Sequence, residues 1–335
     1  MNYPDTNFID FIKSLNIKSQ KIIAEIFLED IASKYKHVKD GEYSLSHYTS
    51  AETAQTILTD KRLLLRKATC MNDYQEIIYG KDLTTKYLFN DNKDKINSII
   101  QSINNKYNID SLKEIFTNYI SDMENRTYIC CFSEIKNEKN HSYNGDLSMW
   151  RGYANTNGVM FKFKPSILDS PEIINNISFS ISPVIYDEKY FISILNNIFQ
   201  KISDNINLIK NIFKEHIDFF FELIIRQLYH RIICLKNKDF KEEKEWRLFY
   251  SPLKKDYVDN SLNTQSIDTE IKTFYGLPQK VHYMNFNNLD ILDSIIIGPT
   301  QYPEYISTMI EAFQYLLKDN NIEIYPSTTP YRIIK

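Results

Sequence analysis

Short apolar segments of strand length recur along the whole sequence, with long amphipathic stretches between them, and this alternation constrains the fold most. Residues 128–133 (YICCFS), 158–164 (GVMFKFK) and 245–250 (EWRLFY) are such segments. Residues 73–124 and 189–237 instead place apolar residues at the i, i+3, i+4 spacing of helices. Because no repeat or Gly/Ser linker marks a boundary, the sequence predicts one α+β domain with two helical insertions.

The same patterns predict the rest of the domain. Residues 1–40 read as a helical leader, and residues 41–335 as the main α+β domain. A helix is expected over 51–58, with Thr49 or Ser50 as its N-cap, and another over 303–318. Further strands are predicted at 44–50 (SLSHYTS), 62–68 (RLLLRKA), 184–188 (VIYDE), 280–284 (KVHYM), 293–299 (DSIIIGP) and 321–326 (NIEIYP).

Charge and cysteine usage limit the class of protein. The 40 Lys and Arg against 43 Asp and Glu give a net charge of −3, which disfavours a protein that wraps nucleic acid. The four cysteines show no CxxC or Cys/His ligand spacing, so reduced thiols in a cytoplasmic protein are expected. The most apolar segment, residues 217–235, contains charged residues and is interpreted as a core helix rather than a membrane span.

The common catalytic motifs are absent from the sequence. It contains no GxGxxG, GxxxxGK[ST], GxSxG, HExxH or DxDxDG pattern. Rossmann-type dinucleotide folds, P-loop enzymes, α/β-hydrolases, zincins and EF-hands are therefore unsupported.

Three short segments place polar or aromatic residues on apolar strands or beside them: 46–50, then 132–134 with 148–153, and 243–248. His47 ends an alternating strand and is interpreted either as a ligand donor or as a buried histidine whose bonds are all internal. Trp150 and Tyr153 could offer flat rings to a heterocycle, with Arg151 beside them for a phosphate. Trp150 alone is better explained as a core anchor.

Two further groups of polar residues have competing explanations. Glu245 opens the strand EWRLFY and is either a solvated cap or a site residue. Asn72 and Asp73 are most simply helix caps, with Gln75 and Glu76 at the spacing of a capping box.

The combination of these motifs resembles a known family. LSHYTSAETAQTIL, MNDYQE, CFSE, LSMWRGYANTNGVMFKF, KEWRLF and IIIGP, between residues 43 and 299, resemble the bacterial family called domain of unknown function 2971. A more distant similarity is to the ADP-ribosyltransferase superfamily of the His-Tyr-Glu type. That similarity implies a fold of split antiparallel β-sheets with a cleft between them.

The second resemblance also implies roles for named residues. The His that bonds the adenosine ribose would be His47, the Tyr on the nicotinamide Tyr153, and the Glu on the nicotinamide ribose Glu245, which makes these three the expected catalytic residues. Ser148 would lie near the nicotinamide. The implied NAD-binding set is His47, Tyr48, Thr49, Ser148, Trp150, Arg151 and Tyr153.

The implied function is an NAD-consuming ADP-ribosyltransferase or NAD glycohydrolase, acting without a metal as a bacterial toxin or phage-defence effector. A fixed carboxylate would stabilise the positive charge that develops on the ribose. Glu243 points to the same strand face as Glu245, so parity leaves the register open, although Glu245 directly precedes the apolar strand. The acceptor, a protein or a nucleic acid, is not specified, and a neutralising or regulatory partner fits this class. No membrane partner is expected.

Two other functions compete. One is a non-enzymatic module that uses the same fold and its long helices to hold a partner. The other is a metal-dependent nucleic-acid-processing enzyme built on His47, Asp73 and Glu76, although helix capping already explains the last two.

Overall fold

The structure is a computed structural model of the 335-residue chain. It describes residues 11–12, 14–71, 74–137, 144–154, 157–174, 178–251, 268–286, 289–300, 302–318 and 321–329.

The first half of the chain alternates helices with the first strands. Its elements are α1 (Ile17–Phe27), α2 (Glu29–Lys39), β1 (Tyr43–Ser50), α3 (Ala51–Asp60), β2 (Arg62–Lys67), α4 (Tyr74–Lys86), α5 (Lys93–Ile103), α6 (Ile109–Glu124), β3 (Tyr128–Lys136), α7 (Leu147–Tyr153) and β4 (Gly158–Phe163).

The second half adds three consecutive helices and most of the remaining strands. Its elements are α8 (Pro171–Ile174), β5 (Phe179–Pro183), α9 (Glu188–Asp204), α10 (Ile206–Ile212), α11 (Ile217–Ile232), β6 (Glu245–Tyr250), β7 (Thr269–Phe274), β8 (Leu277–Asn285), β9 (Leu292–Ile297), α12 (Pro303–Leu317) and β10 (Glu323–Pro326).

Local sequence explains where several elements begin and end. Ser50 caps α3, since its hydroxyl accepts a hydrogen bond from the Thr53 amide at 3.2 Å. Lys61, with φ of 54°, ends that helix in the left-handed conformation and leads directly into β2. The capping box predicted at Asn72 and Asp73 lies outside the described residues.

All strands of the described residues join one mixed sheet. Its main order is β10-β9-β4-β1-β3-β2-β8-β7, and a branch carries β6 and then β5 from β3. The β9–β10 pair is parallel, and the other pairs are antiparallel. The structure is therefore α+β, as predicted, but it has one branched sheet where the resemblance implied two split antiparallel sheets.

The sheet forks at β3. Ser133 pairs with Glu245 of β6 on one edge and with Ser46 of β1 on the other. Tyr128 likewise pairs with β6 on one edge, but its opposite partner is Lys67 of β2. Strands β1 and β2 therefore share one edge of β3, at its two ends, and residues 130–132 face the gap between them.

The two faces of the sheet are covered differently. One face packs against the helical insertions α4–α6 and α9–α11, in a core that includes Ile129 and Phe249. The other face packs against α3 and α12, with Phe132, Phe161 and Leu248 among its core residues. Because successive residues of a strand alternate faces, each side chain on β3 or β6 can be assigned to one core or the other.

The leader helices pack closely on the rest of the chain. The Tyr35 hydroxyl of α2 donates a hydrogen bond to the carbonyl of Ile181 in β5. The buried guanidinium of Arg231 in α11 bonds to Asp30 at 2.6 Å and to the Phe27 carbonyl at 2.5 Å. Helix α2 thereby covers the edge of β5 that does not face β6.

Most predicted strands and helices are confirmed, one predicted strand is misplaced, and one strand was not predicted. The strand predicted at 184–188 is wrong: the strand lies five residues earlier, at Phe179–Pro183, and Ile185 makes only an isolated bridge with Leu235. Strand β7, which was not predicted, alternates exposed and half-buried residues without an apolar run. None of the helices in the described ranges is both long and apolar enough to cross a bilayer.

Candidate functional site

Four charged side chains form a cluster where β6 begins, which we call the ion cluster: Lys236, Glu243, Glu245 and Arg247. The Lys236 ammonium bonds to Glu243 Oε2 at 2.7 Å and to Glu245 Oε2 at 2.9 Å. Arg247 Nε bonds to Glu245 Oε1 at 2.7 Å. Two cations thus neutralise two carboxylates.

Glu245 is the most enclosed carboxylate of this cluster, with only 4% of its surface exposed. Burial alone would raise its pKa, but Arg247 and Lys236, together with a hydrogen bond from the Cys131 thiol, lower the pKa to about 2. Glu245 is therefore ionised at neutral pH and is held by internal partners. Near pH 7 its carboxylate has no proton to donate and accepts one only weakly, so Glu245 is poorly suited to act as a general acid or a general base.

Glu243 lies at the solvent side of the same cluster. Its Oε1 accepts a hydrogen bond of 2.9 Å from the Tyr153 hydroxyl, and the Tyr153 side chain is 47% exposed. The Ser133 hydroxyl donates to the Glu243 carbonyl at 2.6 Å. Within the described residues, the ion cluster therefore reaches the surface at the contact between Tyr153 and Glu243.

Local structure brings the cluster together from three elements. Lys236 follows α11, and its amide bonds to the Ile185 carbonyl at 2.9 Å. Glu243 ends a short 3₁₀ turn, Lys238–Glu243, and Lys244 then adopts the left-handed conformation with φ of 44°. This conformation turns the chain into β6. Glu243 and Glu245, on either side of Lys244, therefore both reach the Lys236 ammonium.

His47 lies in the fork of the sheet. Its Nδ1 bonds to the Cys131 carbonyl at 2.9 Å, at the part of the β3 edge that neither β1 nor β2 covers. Because the carbonyl can only accept, Nδ1 carries the proton. Burial lowers the pKa of His47, so the ring is neutral at pH 7.

The strand register separates His47 from Glu245. Glu245 shares a face with its partner Ser133, whereas Leu45 shares the opposite face with Glu134. His47 lies two residues after Leu45, so its side chain projects from the face of the sheet opposite to that of Glu245. The structure brings Tyr153 and the 243–245 segment together, but it does not put His47 on their face.

Trp150 and Tyr48 are core residues. Trp150 is 1% exposed, its indole N–H donates to the Asn144 carbonyl at 3.0 Å, and Tyr48 packs edge-on against it with ring centroids 4.9 Å apart. Gly145 has φ of 83°, and a Cβ there would lie 2.4 Å from the Trp150 indole nitrogen. The anchoring role considered for Trp150 is the one that the structure supports.

The other residues of the expected NAD-binding set differ in exposure. Thr49 is buried, Ser148 is half-buried on α7, and Arg151 is exposed on the same helix. Of the full set, Arg151 and Tyr153 are the members most accessible to a ligand.

Within the described ranges, no group of three or more His, Cys, Asp or Glu side chains is placed to hold a metal ion. Asn72, Asp73 and the Glu76 side chain, which the metal-dependent alternative needs, lie outside the described residues.

Sequence reasoning did not identify Lys236 or Arg247 as parts of the site. Arg247 lies two residues after Glu245 on β6, and this same-face spacing was a usable signal. Lys236 directly follows an apolar run, Ile232–Leu235, and this run was the available hint that Lys236 is buried. In the structure its side chain is 2% exposed.

The fold and the cluster define an α+β protein with a forked mixed sheet and a buried, charge-balanced ion cluster at the start of one strand. Residues 149–248 match the family model described as "Protein of unknown function (DUF2971)". This match agrees with the first resemblance and spans Tyr153 and the ion cluster but not His47. Neither a curated protein nor a solved structure matches the chain.

Proposed function

We propose that the chain cleaves the bond between nicotinamide and ribose in NAD, as an ADP-ribosyltransferase or an NAD glycohydrolase. The observation that carries this proposal is the hydrogen bond of 2.9 Å between Tyr153 and Glu243, which joins residues 90 apart in the sequence. In the His-Tyr-Glu transferases, an aromatic ring is combined with a carboxylate at the start of a strand late in the chain. Tyr153 and the carboxylates at the start of β6 supply that pair.

We assign the ligand-contacting carboxylate to Glu243 rather than to Glu245. A carboxylate must reach the ribose to stabilise the charge that develops there. Glu245 is 4% exposed and is bonded to Arg247 and Lys236, whereas the Glu243 side chain is 13% exposed and bonds an exposed tyrosine. Glu245 then acts as a positioning residue, because it fixes the ammonium that in turn holds Glu243.

Arg151 fits the same proposal. It is exposed on α7 two residues before Tyr153. An exposed guanidinium on the same helix suits the pyrophosphate of NAD, since planar guanidinium groups bond phosphate oxygens in pairs. His47 is left out of the contact set because it leaves the opposite face, so its role is to satisfy the Cys131 carbonyl in the fork.

A non-enzymatic module is the second candidate, and one observation favours it. The two cations and two carboxylates of the ion cluster balance internally, so the cluster is satisfied without a ligand. In that case the cluster only holds α11 to β6, and the helical insertions would carry the interaction with a partner.

Nicotinamide release from NAD, measured with and without EDTA, separates the two candidates. The proposal expects release that survives chelation. Glu243→Gln should slow it on the order of a hundredfold, as loss of one transition-state contact does. Glu242→Gln, a change at the exposed neighbouring residue, is the matched control and should leave the rate unchanged.

Two outcomes would contradict the proposed activity. Absence of nicotinamide release by the folded wild-type chain favours the interaction module. If Glu243→Gln consumes NAD at the wild-type rate, the Glu243 carboxylate has no part in the mechanism, although the chain is an NAD-consuming enzyme.

A further inference from the structure

A cavity of about 690 Å³ lies between the leader helix α2, the edge strand β5 and helix α11. Its volume is within the range of small-molecule sites, roughly 300–1,000 Å³. It shares no lining residue with the ion cluster. Most of its wall is apolar, with the side chains of Leu28, Ile31, Leu168, Phe179, Leu223 and Phe249.

Helix α11 supplies one polar wall of the cavity. Arg226, Gln227, His230 and Arg231 all line it, and their spacing of three to five residues places them on neighbouring turns. The walls from α2 and β5 mix apolar side chains with polar ones: Tyr35, Lys36, Lys39, Ser180 and Ser182. The cavity therefore has a mixed lining, with four polar side chains together on α11.

The buried polar atoms on that wall that lack a hydrogen bond within the described part of the chain include Arg231 Nε and Gln227 Oε1. Arg231 is only 2% exposed, and its terminal Nη2 is already used by Asp30 and the Phe27 carbonyl. A buried donor left without an acceptor destabilises the fold, because it has lost its hydrogen bonds to water and gained none in return. A ligand that carries an acceptor at this point would supply the missing bond.

Cations outnumber acids in the lining of the cavity: Lys36, Lys39, Arg226 and Arg231 against Asp40. Asp30 and Asp169 offset two of these cations, through Arg231 and Lys39, and Arg226 has interactions of its own. The feature that selects an acceptor group is therefore the unbonded Nε of Arg231 and not an excess of charge. Burial, followed by the nearby Arg226 and Arg231, lowers the pKa of His230 well below its ordinary value, so this ring adds no charge at pH 7.

We propose that this cavity binds an apolar monocarboxylate of the fatty-acid type, with its hydrocarbon chain against the apolar walls. The carboxylate accepts from Arg231 Nε–H. The Gln227 amide presents its NH₂ to the second carboxylate oxygen after a half-turn about its last bond, which exchanges its oxygen and nitrogen.

Calorimetry with sodium decanoate, compared with 1-decanol, tests the head group. Because a hydrogen bond to a charged group contributes about 1.5–3 kcal/mol, decanoate should bind roughly tenfold or more tightly than the alcohol. Gln227→Leu should reduce this preference several-fold and leave decanol binding unchanged. Its side chain has no hydrogen bond to lose in the described structure, so the variant should fold.

A second pair of variants tests the location. Ala32→Phe on α2 places a ring into the cavity and should weaken decanoate binding about tenfold or more. Ser33→Phe, at the next exposed position and outside the lining, should bind like the wild type. Equal affinity for decanoate and decanol, unchanged binding by Ala32→Phe, or no binding up to about 1 mM decanoate would each overturn the proposal.

Discussion

His47 and Glu245 leave opposite faces of the same sheet, yet both bond to Cys131, one through its carbonyl and the other through its thiol. The two residues are therefore connected through one strand and do not meet across a cleft. Cys131 stands at the point where β1 and β2 separate, so both bonds hold β3 at the place where the sheet has fewest backbone partners. This arrangement separates the stability of the fork from the chemistry proposed at Tyr153 and Glu243.

Tyr153→Ala should weaken NAD binding by about 1 kcal/mol, because it removes a stacking face. The melting temperature should change little, since the side chain is 47% exposed. Tyr190→Ala, at a tyrosine of similar exposure on α9, is the control and should bind NAD like the wild type. Titration calorimetry and thermal unfolding check both effects. A large fall in melting temperature for Tyr153→Ala alone would identify Tyr153 as a packing residue.

Glu245→Gln should destabilise the fold by about 3–5 kcal/mol at neutral pH, because it leaves Arg247 and Lys236 buried without their shared counter-charge. Denaturant unfolding measures this loss. Glu242→Gln, at an exposed site, should stay within about 0.5 kcal/mol of the wild type. Wild-type stability for Glu245→Gln would mean that the cluster is solvated in solution.

The free energy of unfolding should also depend on the ionisation of Glu245 at acidic pH. The pKa of Glu245 is near 4.5 when unfolded and about 2 in the fold, so its contribution is complete above pH 4.5 and is lost as the pH falls towards 2. This change is on the order of 3 kcal/mol. The difference in unfolding free energy between wild type and Glu245→Gln should therefore shrink over that interval. A constant difference would argue against a lowered pKa.

His47→Phe should cost about 1–3 kcal/mol, because the Cys131 carbonyl loses its donor while ring volume is kept. The exposed His37, which pairs with Glu42, is the control, and His37→Phe should cost less than about 1 kcal/mol. The lowered pKa of His47 means that its contribution is complete above about pH 6.5 and declines below it. Equal losses in the two variants would place His47 outside the fork.

Asp30→Asn should destabilise the fold by about 3 kcal/mol or more, since it removes the charge opposite buried Arg231. The neighbouring Glu29 pairs with Lys201 at the surface, and Glu29→Gln should leave the stability nearly unchanged. Chemical denaturation of both variants checks the contrast. Equal effects would show that the leader is not held by the Arg231 contact.

Local patterns predicted most strands and helices because their apolar spacing is written in consecutive residues. The exception at 184–188 is instructive: Val184 and Ile185 are buried, but Ile185 pairs with Leu235 beyond α11 and not with a neighbouring strand. Burial of a short apolar run is therefore not enough to predict a strand. Strand β7 was missed for the opposite reason, since its residues are exposed or half-buried.

The site was only partly predictable. Alternation along β1 shows that Leu45 and His47 share a face, but only the β1–β3 and β3–β6 registers reveal that Glu245 lies on the other. The second resemblance implied catalytic roles for Tyr153 and Glu245, whereas the hydroxyl of Tyr153 bonds to Glu243, a contact that no sequence spacing predicts. Lys236 precedes Glu243 by only seven residues, but the 3₁₀ turn between them brings the two side chains together, and no sequence spacing predicts that contact.

The hydroxyl of Tyr35 on the open side of β5 has a consequence for solubility. A strand whose backbone groups face water on one side is a template for another chain, and proteins commonly cover such edges to avoid self-association. Here the cover is α2, anchored at its start by the Asp30–Arg231 pair. Loosening that anchor would expose the β5 edge before the core unfolds. Conditions that weaken the leader should therefore first appear as concentration-dependent aggregation, while the remainder of the sheet is still folded.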